Sequence, residues 1–273
     1  MKPLAALEMV MRTDPGMIRS HNEDAIYADA GLGVAILADG MGGYNAGEVA
    51  SGLATTRLAE DMAGVINSPA VMSKGLHDPA VVEAHIVNEV KAANLAIFNA
   101  AQGCSQYTGM GTTLVVAWFY NNRMSVAHVG DSRLYRLRGD CFEQLTRDHS
   151  LLQEQLDNGM ITADQARYAE NRNLVTRALG VDPDVEVEVH DYDVRPGDIV
   201  MLCSDGLNDM VDDGDIAVTL QTLGSNLALA ADHLVHMTNA SGGRDNVSVI
   251  LVKVVGDFAT PRGWWQRLLA RLQ

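Results

Sequence analysis

Cysteine is scarce in this chain. Its 273 residues include three, Cys104, Cys141 and Cys203, with no Cys-x-x-Cys pair among them. An odd, scattered set argues against a disulfide framework or a cysteine-ligated zinc site and suits a reducing compartment. Cys203, inside IVMLCSDG, reads as a small core residue. Basic residues are outnumbered: 20 Lys and Arg stand against 35 Asp and Glu, a formal net charge of -15. Such a chain repels nucleic acid backbones and anionic membranes, so neither is an expected partner, but it concentrates cations. No apolar segment approaches the roughly 20 residues that a membrane-spanning helix needs. The opening MKPLAALEMVMRTD is interrupted by Glu8 and lacks the basic flank plus apolar core of a secretory signal. Repeats, low-complexity tracts and obvious linkers are missing too. The expected compartment is the cytoplasm.

What is present suffices for a substantial core, since 47% of the residues are hydrophobic. Strands are expected at Leu7–Thr13, and as a hairpin at Ala25–Ala30 and Gly33–Ala38. Helical spacing covers Glu48–Ala63 and Pro79–Ala101, with a loop between them around Pro69 and Gly75. Thr112–Tyr120, Met124–Val129, Leu134–Leu137 and Cys141–Leu145 read as an antiparallel meander, because their connections are too short for crossover helices. His149–Asn158 and Thr162–Ala169 read as short helices broken at Gly159. Strands follow at Val185–His190, Ile199–Cys203 and Val247–Val254. Helices are expected at Asp215–Leu223 and at Ser225–Asn239, the latter capped by Ser225. One α+β domain fits this order.

Three apolar runs stop at an acid. Val34–Ala38 ends at Asp39-Gly40, Val126–Val129 at Gly130-Asp131, and Ile199–Ser204 at Asp205-Gly206. Asp245 precedes the last strand, and Glu23 and Asp24 precede the second. Any one Asp-Gly is far more often a turn than a ligand. Asp131-Ser132 alone reads as a turn, Gly242-Gly243 as a helix end, and Asp212-Asp213 and Asp215 as a solvated helix start. The joint occurrence is what distinguishes the acids. Carboxylates gathered in a small volume raise one another's pKa, and a divalent cation relieves them. Oxygen donors without a His or Cys cluster point to magnesium or manganese rather than zinc. Gly40 would let its own carbonyl approach such an ion, and Gly42-Gly43 would turn the chain away.

Eight stretches, in order, resemble the metal-dependent protein phosphatase family, protein phosphatase 2C, in its compact bacterial form. They are GMIRSHNEDAIY, LADGMGGYNAGEVAS, GMGTTLVVA, AHVGDSRLYRL, LTRDHSLLQEQLDNGMIT, RNLVTRALG, PGDIVMLCSDGLNDMV and GGRDNVSVILV. Each is weak alone, but their order along nearly the whole chain makes the set specific. The resemblance implies a four-layer α-β-β-α sandwich of two packed antiparallel sheets flanked by helices. The catalytic domain would span 1–255, with a variable flap at about 146–180 that biases substrate choice. Residues 256–273 would form a short amphipathic tail.

The same resemblance assigns roles. Asp39 would bridge two metal ions, and Gly40 would give its carbonyl to one. Asp205 and Asp245 would complete that ion's shell. Glu23 would hold the other ion, partly through water, with Asp24 close behind or bound through water. Asp131 with Asp205 resembles a third, weaker metal site. Arg19 matches the arginine that holds the substrate phosphate, and Asn246 would support the ligands from behind. The implied activity is that of a serine/threonine phosphoprotein phosphatase dependent on Mn2+ or Mg2+, opposing serine/threonine kinases of the same cell. Hydroxide, available near neutral pH between two cations ~4 Å apart, would attack phosphorus in line. Arg19 and the metals would neutralise the phosphoryl oxygens. No phosphoenzyme is needed, so neither a nucleophilic cysteine nor the Cys-x5-Arg loop of tyrosine phosphatases is expected.

Two positions depart from the pattern. Met41 stands where animal members carry a histidine thought to be the general acid, so leaving-group protonation would fall to metal-held water. Asn208 replaces the tryptophan of many relatives, removing bulk but no ligand. His149 reads as structural or flap-supporting, and His21 as a surface residue or a support for the acids. In the tail, Trp264, Leu268, Leu269 and Leu272 share one helical face, opposite Arg262, Arg267 and Arg271. That helix would cover the domain's own surface, or otherwise meet a membrane interface or partner. A monomer is expected, with phosphorylated proteins as partners. Rival readings are a two-metal nuclease or nucleotidase, disfavoured by the acidic charge, and a catalytically weak phosphoprotein-binding regulator of the same fold.

Overall fold

Alternation along the strands decides the layers. In the strand Val34–Met41, Val34, Ile36 and Ala38 are buried on one side and Ala35 and Leu37 on the other. The same period of two divides Leu114–Tyr120: Leu114, Val116, Trp118 and Tyr120 face one way, Val115, Ala117 and Phe119 the other. A strand buried on both faces sits inside a layered sandwich rather than at its surface.

This computed structural model describes residues 6–43, 46–74, 76–162, 165 and 174–259. In chain order the strands are β1 (Leu7–Asp14), β2 (Asp24–Asp29), β3 (Val34–Met41), β4 (Gly111–Thr112), β5 (Leu114–Tyr120), β6 (Arg123–Val129), β7 (Arg133–Arg138), β8 (Cys141–Gln144), β9 (Glu188–Asp193), β10 (Ile199–Cys203) and β11 (Val247–Val254). The helices are α1 (Ala46–Ile66), α2 (Pro69–Lys74), α3 (Pro79–Gly103), α4 (Leu151–Asp157), α5 (Asp205–Asn208), α6 (Asp213–Leu223) and α7 (Leu227–Ala240). One sheet has the order β1-β11-β10-β7-β8 and the other β2-β3-β5-β6-β9, with β4 paired to β3. Every pairing is antiparallel. Leu37, Val115, Phe119, Leu202, Ile250 and Val252 fill the space between the sheets. Helices α1 and α3 cover the second sheet, and α6 and α7 cover the first. No helix of the described residues is long and apolar enough to cross a membrane.

Local chemistry sets the element ends. Asp78 caps α3 by accepting from Ala80 N–H at 3.1 Å, with Pro79 in the first position, where its missing N–H costs nothing. Asn121 and Asn122 take φ 47° and 58°, the paired left-handed geometry of a two-residue hairpin turn.

Five expectations need correcting. The segment around Pro69 contains α2 rather than only loop, since Pro69 suits a first helical position. The meander is two hairpins in different sheets: β5–β6 lies in one and β7–β8 in the other, and the chain crosses at Gly130-Asp131-Ser132. The strand expected at Val185–His190 is Glu188–Asp193, displaced to pair with β6. The cap of α7 is Asn226, accepting from Leu229 N–H at 3.1 Å, instead of Ser225. Finally, β3 does not stop at Asp39 but continues to Met41 by pairing with β4. Most of the helix expected at Thr162–Ala169, and the tail Thr260–Gln273, lie outside the described residues.

Candidate active site

Odd positions of β3 face the space between the sheets, so Asp39 follows Leu37 into that layer at its end. Asp24, opposite Asp39 in the antiparallel register, follows Ile26 and Ala28 into the same layer. The facing sheet ends there in hydroxyls. On β10 the inward positions Val200 and Leu202 lead to Ser204; on β11 Val252 and Ile250 lead to Ser248. Ser204 Oγ donates to Asp24 Oδ2 at 2.9 Å and accepts from Ser248 N–H at 2.9 Å. Ser248 Oγ and Thr13 Oγ1 lie 2.8 Å apart. The inter-sheet core thus ends in a polar layer, carboxylates from one sheet against hydroxyls from the other.

Loops bring in the remaining acids. Asp205 opens α5 directly after β10, and Asp245 lies just before β11. A methyl carbon on Gly206 would stand 2.0 Å from the carbonyl oxygen of Asn246, so these two loops touch backbone to backbone. Asn246 clamps the loop before β2. Its Oδ1 accepts from Glu23 N–H at 2.8 Å, and its Nδ2 donates to Pro15 O at 3.0 Å and His21 O at 2.9 Å. Gly40 N–H and Ser51 Oγ both donate to Glu23 O, at 3.1 and 2.5 Å. A methyl carbon on Gly40 would lie 2.2 Å from Gly47 O, so only glycine lets the start of α1 rest on β3 beside Glu23. Thr113 joins Asp39 to the crossing turn: its Oγ1 accepts from Asp39 N–H at 3.0 Å and lies 2.8 Å from Ser132 Oγ. Asp131, in that turn, is 7% exposed.

Burial above all, and neighbouring negative charge after it, raises the pKa of Glu23, Asp24, Asp39, Asp131 and Asp205. Burial first, then the charge of Asp24, Asp205, Asp131 and Asp245, pushes Asp39 well above the usual carboxylate range. Asp205 is raised likewise, by burial and then by Asp131, Asp209, Asp245 and Asp24. Burial lifts Asp24 and Asp131 to about 6 each. Glu23 is raised, chiefly by burial. The Oδ1 atom of Asp24 is buried with no hydrogen-bond partner. Arg19 sits at the rim, its Nη2 donating to Asp245 Oδ2 at 2.7 Å with the side chain 53% exposed. An orphaned carboxylate oxygen, acceptor-only donors and a glycine-lined backbone are what a hard divalent cation requires. The residues present fit that group.

Comparison with known proteins agrees with this geometry. A family profile described as Protein phosphatase 2C matches residues 19–238. The chain belongs to the protein phosphatase 2C family. Serine/threonine phosphatase stp of Listeria innocua is 36% identical over 245 residues, 89% of this chain and 94% of its own length. Serine/threonine protein phosphatase PstP of Mycobacterium tuberculosis is 38% identical over 252 residues, 91% of this chain but 45% of that protein. A crystal structure of the Mycobacterium tuberculosis phosphatase PstP/Ppp superposes with TM-score 0.82 at 36% identity, covering 92% of this chain and 100% of that one. The PstP catalytic domain in complex with 2 manganese ions gives 0.80 at 37% identity, covering 92% and 99%.

Within this protein phosphatase 2C chain, Glu23, Asp24, Asp39, Gly40, Asp131, Asp205, Asp245, Asn246 and Arg19 all come to one end of the sandwich. Sequence reading passed over Thr13, Thr113, Ser132, Ser204 and Ser248, which hold the acids in place. The Thr-Thr of GMGTT was the available signal, for two consecutive hydroxyls in an apolar run have no packing reason. His21 is exposed, and its carbonyl, not its ring, supports the site. Contrary to expectation, Cys141 and Arg147 do stand at Cys-x5-Arg spacing. They build no phosphate loop, since Cys141 is exposed on a strand and Arg147 pairs with Asp157.

Among the described residues, one group of three His, Cys, Asp or Glu side chains has ligand atoms all within 4.8 Å of one another: His128, His149 and Glu188. Their protons are already committed. His128 Nε2 donates to Arg147 O at 2.7 Å. Gly130 N–H donates to His149 Nδ1 at 3.2 Å, which leaves the ring proton on Nε2, pointing at Glu188 Oε2 3.2 Å away. Burial holds both imidazoles below their usual pKa. His149 and Glu188 share a hydrogen bond and His128 joins them only by ring stacking, so the trio is a packed, hydrogen-bonded support beside the acids rather than an open donor set.

Proposed function

We propose that this chain is a metal-dependent protein-serine/threonine phosphatase acting on phosphorylated proteins. The observation that carries the reading is the cluster of six part-buried or buried carboxylates, Glu23, Asp24, Asp39, Asp131, Asp205 and Asp245, with exposed Arg19 at its rim. Asp39, Gly40, Asp205 and Asp245 would hold one divalent cation, Mn2+ or Mg2+, and Asp39 with Glu23 a second, Asp24 standing behind. Asp131 with Asp205 would take a third, weaker one. When bound, such cations supply charge and a water of lowered pKa near neutral pH.

Arg19 would bind the phosphoryl oxygens, with Asp245 fixing its direction. Reaction would be in-line displacement by water: the new phosphorus–oxygen bond forms as the bond to the serine or threonine oxygen breaks. The proton released by water ends on that leaving oxygen. Met41 has no proton to give, so that proton would not come from this side chain. The catalytic domain would span 1–255, with 256–273 as an appended tail. The protein would act as a cytoplasmic monomer opposing serine/threonine kinases.

The test is hydrolysis of a phosphothreonine peptide. Asp39→Asn should cut it by about a thousandfold or more, and EDTA should abolish it until Mn2+ is restored. Turnover persisting in excess EDTA would refute the metal-dependent reading.

A further inference from the structure

The returning limb of the expected flap, residues 174–180, is hydrogen-bonded to Thr112, which also holds Asp39, and to His149, which also holds the turn that carries Asp131. Leu179 and Thr112 exchange backbone bonds of 2.8 and 3.1 Å, and Thr112 Oγ1 donates to Asp39 O at 2.8 Å. The second anchor is His149. Its N–H donates to Gly130 O at 2.9 Å, and its carbonyl accepts from Thr176 N–H at 2.7 Å. Beside it Ser150 and Val175 form a bridge, and Leu151 N–H donates to Leu174 O at 2.9 Å. The His149 ring is 7% exposed and stacks on His128 with centroids 4.6 Å apart. His190 Nε2 donates to the other oxygen of Glu188 at 2.8 Å, fixing the carboxylate that receives His149 Nε2–H.

The acceptor of the Gly130 N–H, in the Val129–Gly130 peptide, is His149 Nδ1, and the next peptide, Gly130–Asp131, gives its oxygen to His149 N–H. A buried N–H denied its acceptor turns the peptide elsewhere. We propose that His149 is a positioning residue: it sets the Gly130–Asp131 turn and the flap root in one register, so that acid and flap approach the substrate together. This rests on the phosphatase reading above.

The amide variants of His149 separate its two ring nitrogens. Asparagine places Oδ1 where Nδ1 stands and can accept the Gly130 N–H, but it cannot reach Glu188. Glutamine reaches towards Glu188 and leaves Gly130 without its acceptor. Hydrogen exchange of the Gly130 amide, by NMR on the metal-free full chain, reports the bond directly. kcat and KM for a phosphothreonine peptide in Mn2+ report its consequence, with melting temperature as the control for folding. His149→Gln and His149→Ala should speed Gly130 exchange and lower kcat by about tenfold, with KM little changed. His149→Asn should stay within about threefold of the parent in both. Equal losses in the asparagine and glutamine variants overturn the proposal. So does fast Gly130 exchange in His149→Gln with kcat intact. An inactive parent protein removes the positioning role by removing the reaction, and unchanged exchange differences would then place the failure in the phosphatase reading.

Discussion

Asp24→Asn should make the metal-free protein more stable while impairing its activity. In the folded chain the Asp24 carboxyl is lifted from its ordinary 3.8 to about 6, chiefly by burial, with Asp245 among the adjacent charges. A raised acid binds its proton more tightly when folded. Its contribution to stability is therefore full below pH 3.8 and is lost as pH rises through about 6. Above that window the ionised group costs about 3 kcal/mol, since a tenfold change in proton affinity is worth about 1.4 kcal/mol. Asparagine keeps the Ser204 bond through Oδ1 and presents an N–H to Asp39 in place of an unpartnered oxygen. In a domain of this size about 3 kcal/mol corresponds to a rise in melting temperature of about 6–10 °C. Calorimetry on EDTA-treated protein at pH 7.5 measures it. The parent protein should also gain stability between pH 7.5 and 5.5, and the variant should gain less. A melting temperature for Asp24→Asn equal to or below the parent's would refute the argument that these carboxylates oppose folding without a cation.

Two further outcomes follow from the backbone around the acids. Asn246→Ala removes three part-buried hydrogen bonds, to Glu23, Pro15 and His21, and should cost about 2–4 kcal/mol in a denaturation curve. By loosening the loop that carries Arg19 and Glu23, it should also raise both KM and the Mn2+ concentration for half-maximal activity. Gly206→Ala forces a methyl carbon against Asn246 O at 2.0 Å and should part the Asp205 and Asp245 loops. It should lower the melting temperature and reduce turnover by about a hundredfold, from misplaced ligands.

Much of the fold was legible because the signals are local. Val247–Val254 and Ile199–Cys203 are β-rich runs bounded by turn residues, and both emerged with the expected bounds. Pro79 after Asp78 marks the start of α3 without reference to anything distant. The failures have nonlocal causes. Glu188–Asp193 is placed by its register against β6, which competes with the apolar alternation of Val185–His190. The continuation of β3 past Asp39 depends on Gly111 and Thr112, far away in the chain, being there to pair.

By itself, the sequence determined that apolar runs meet acids flanked by glycines, that these donors suit a hard cation, and that eight motifs follow the family's order. Those are properties of residue type and spacing. Only the tertiary structure decided that the acids converge at one end of the sandwich. It also decided that Thr113, Ser204 and Ser248 hold them, and that His149 links the Asp131 turn to the flap. A hydrogen bond such as that from Ser204 to Asp24, 180 positions apart, depends on which strands pack together, and strand packing is a property of the whole core.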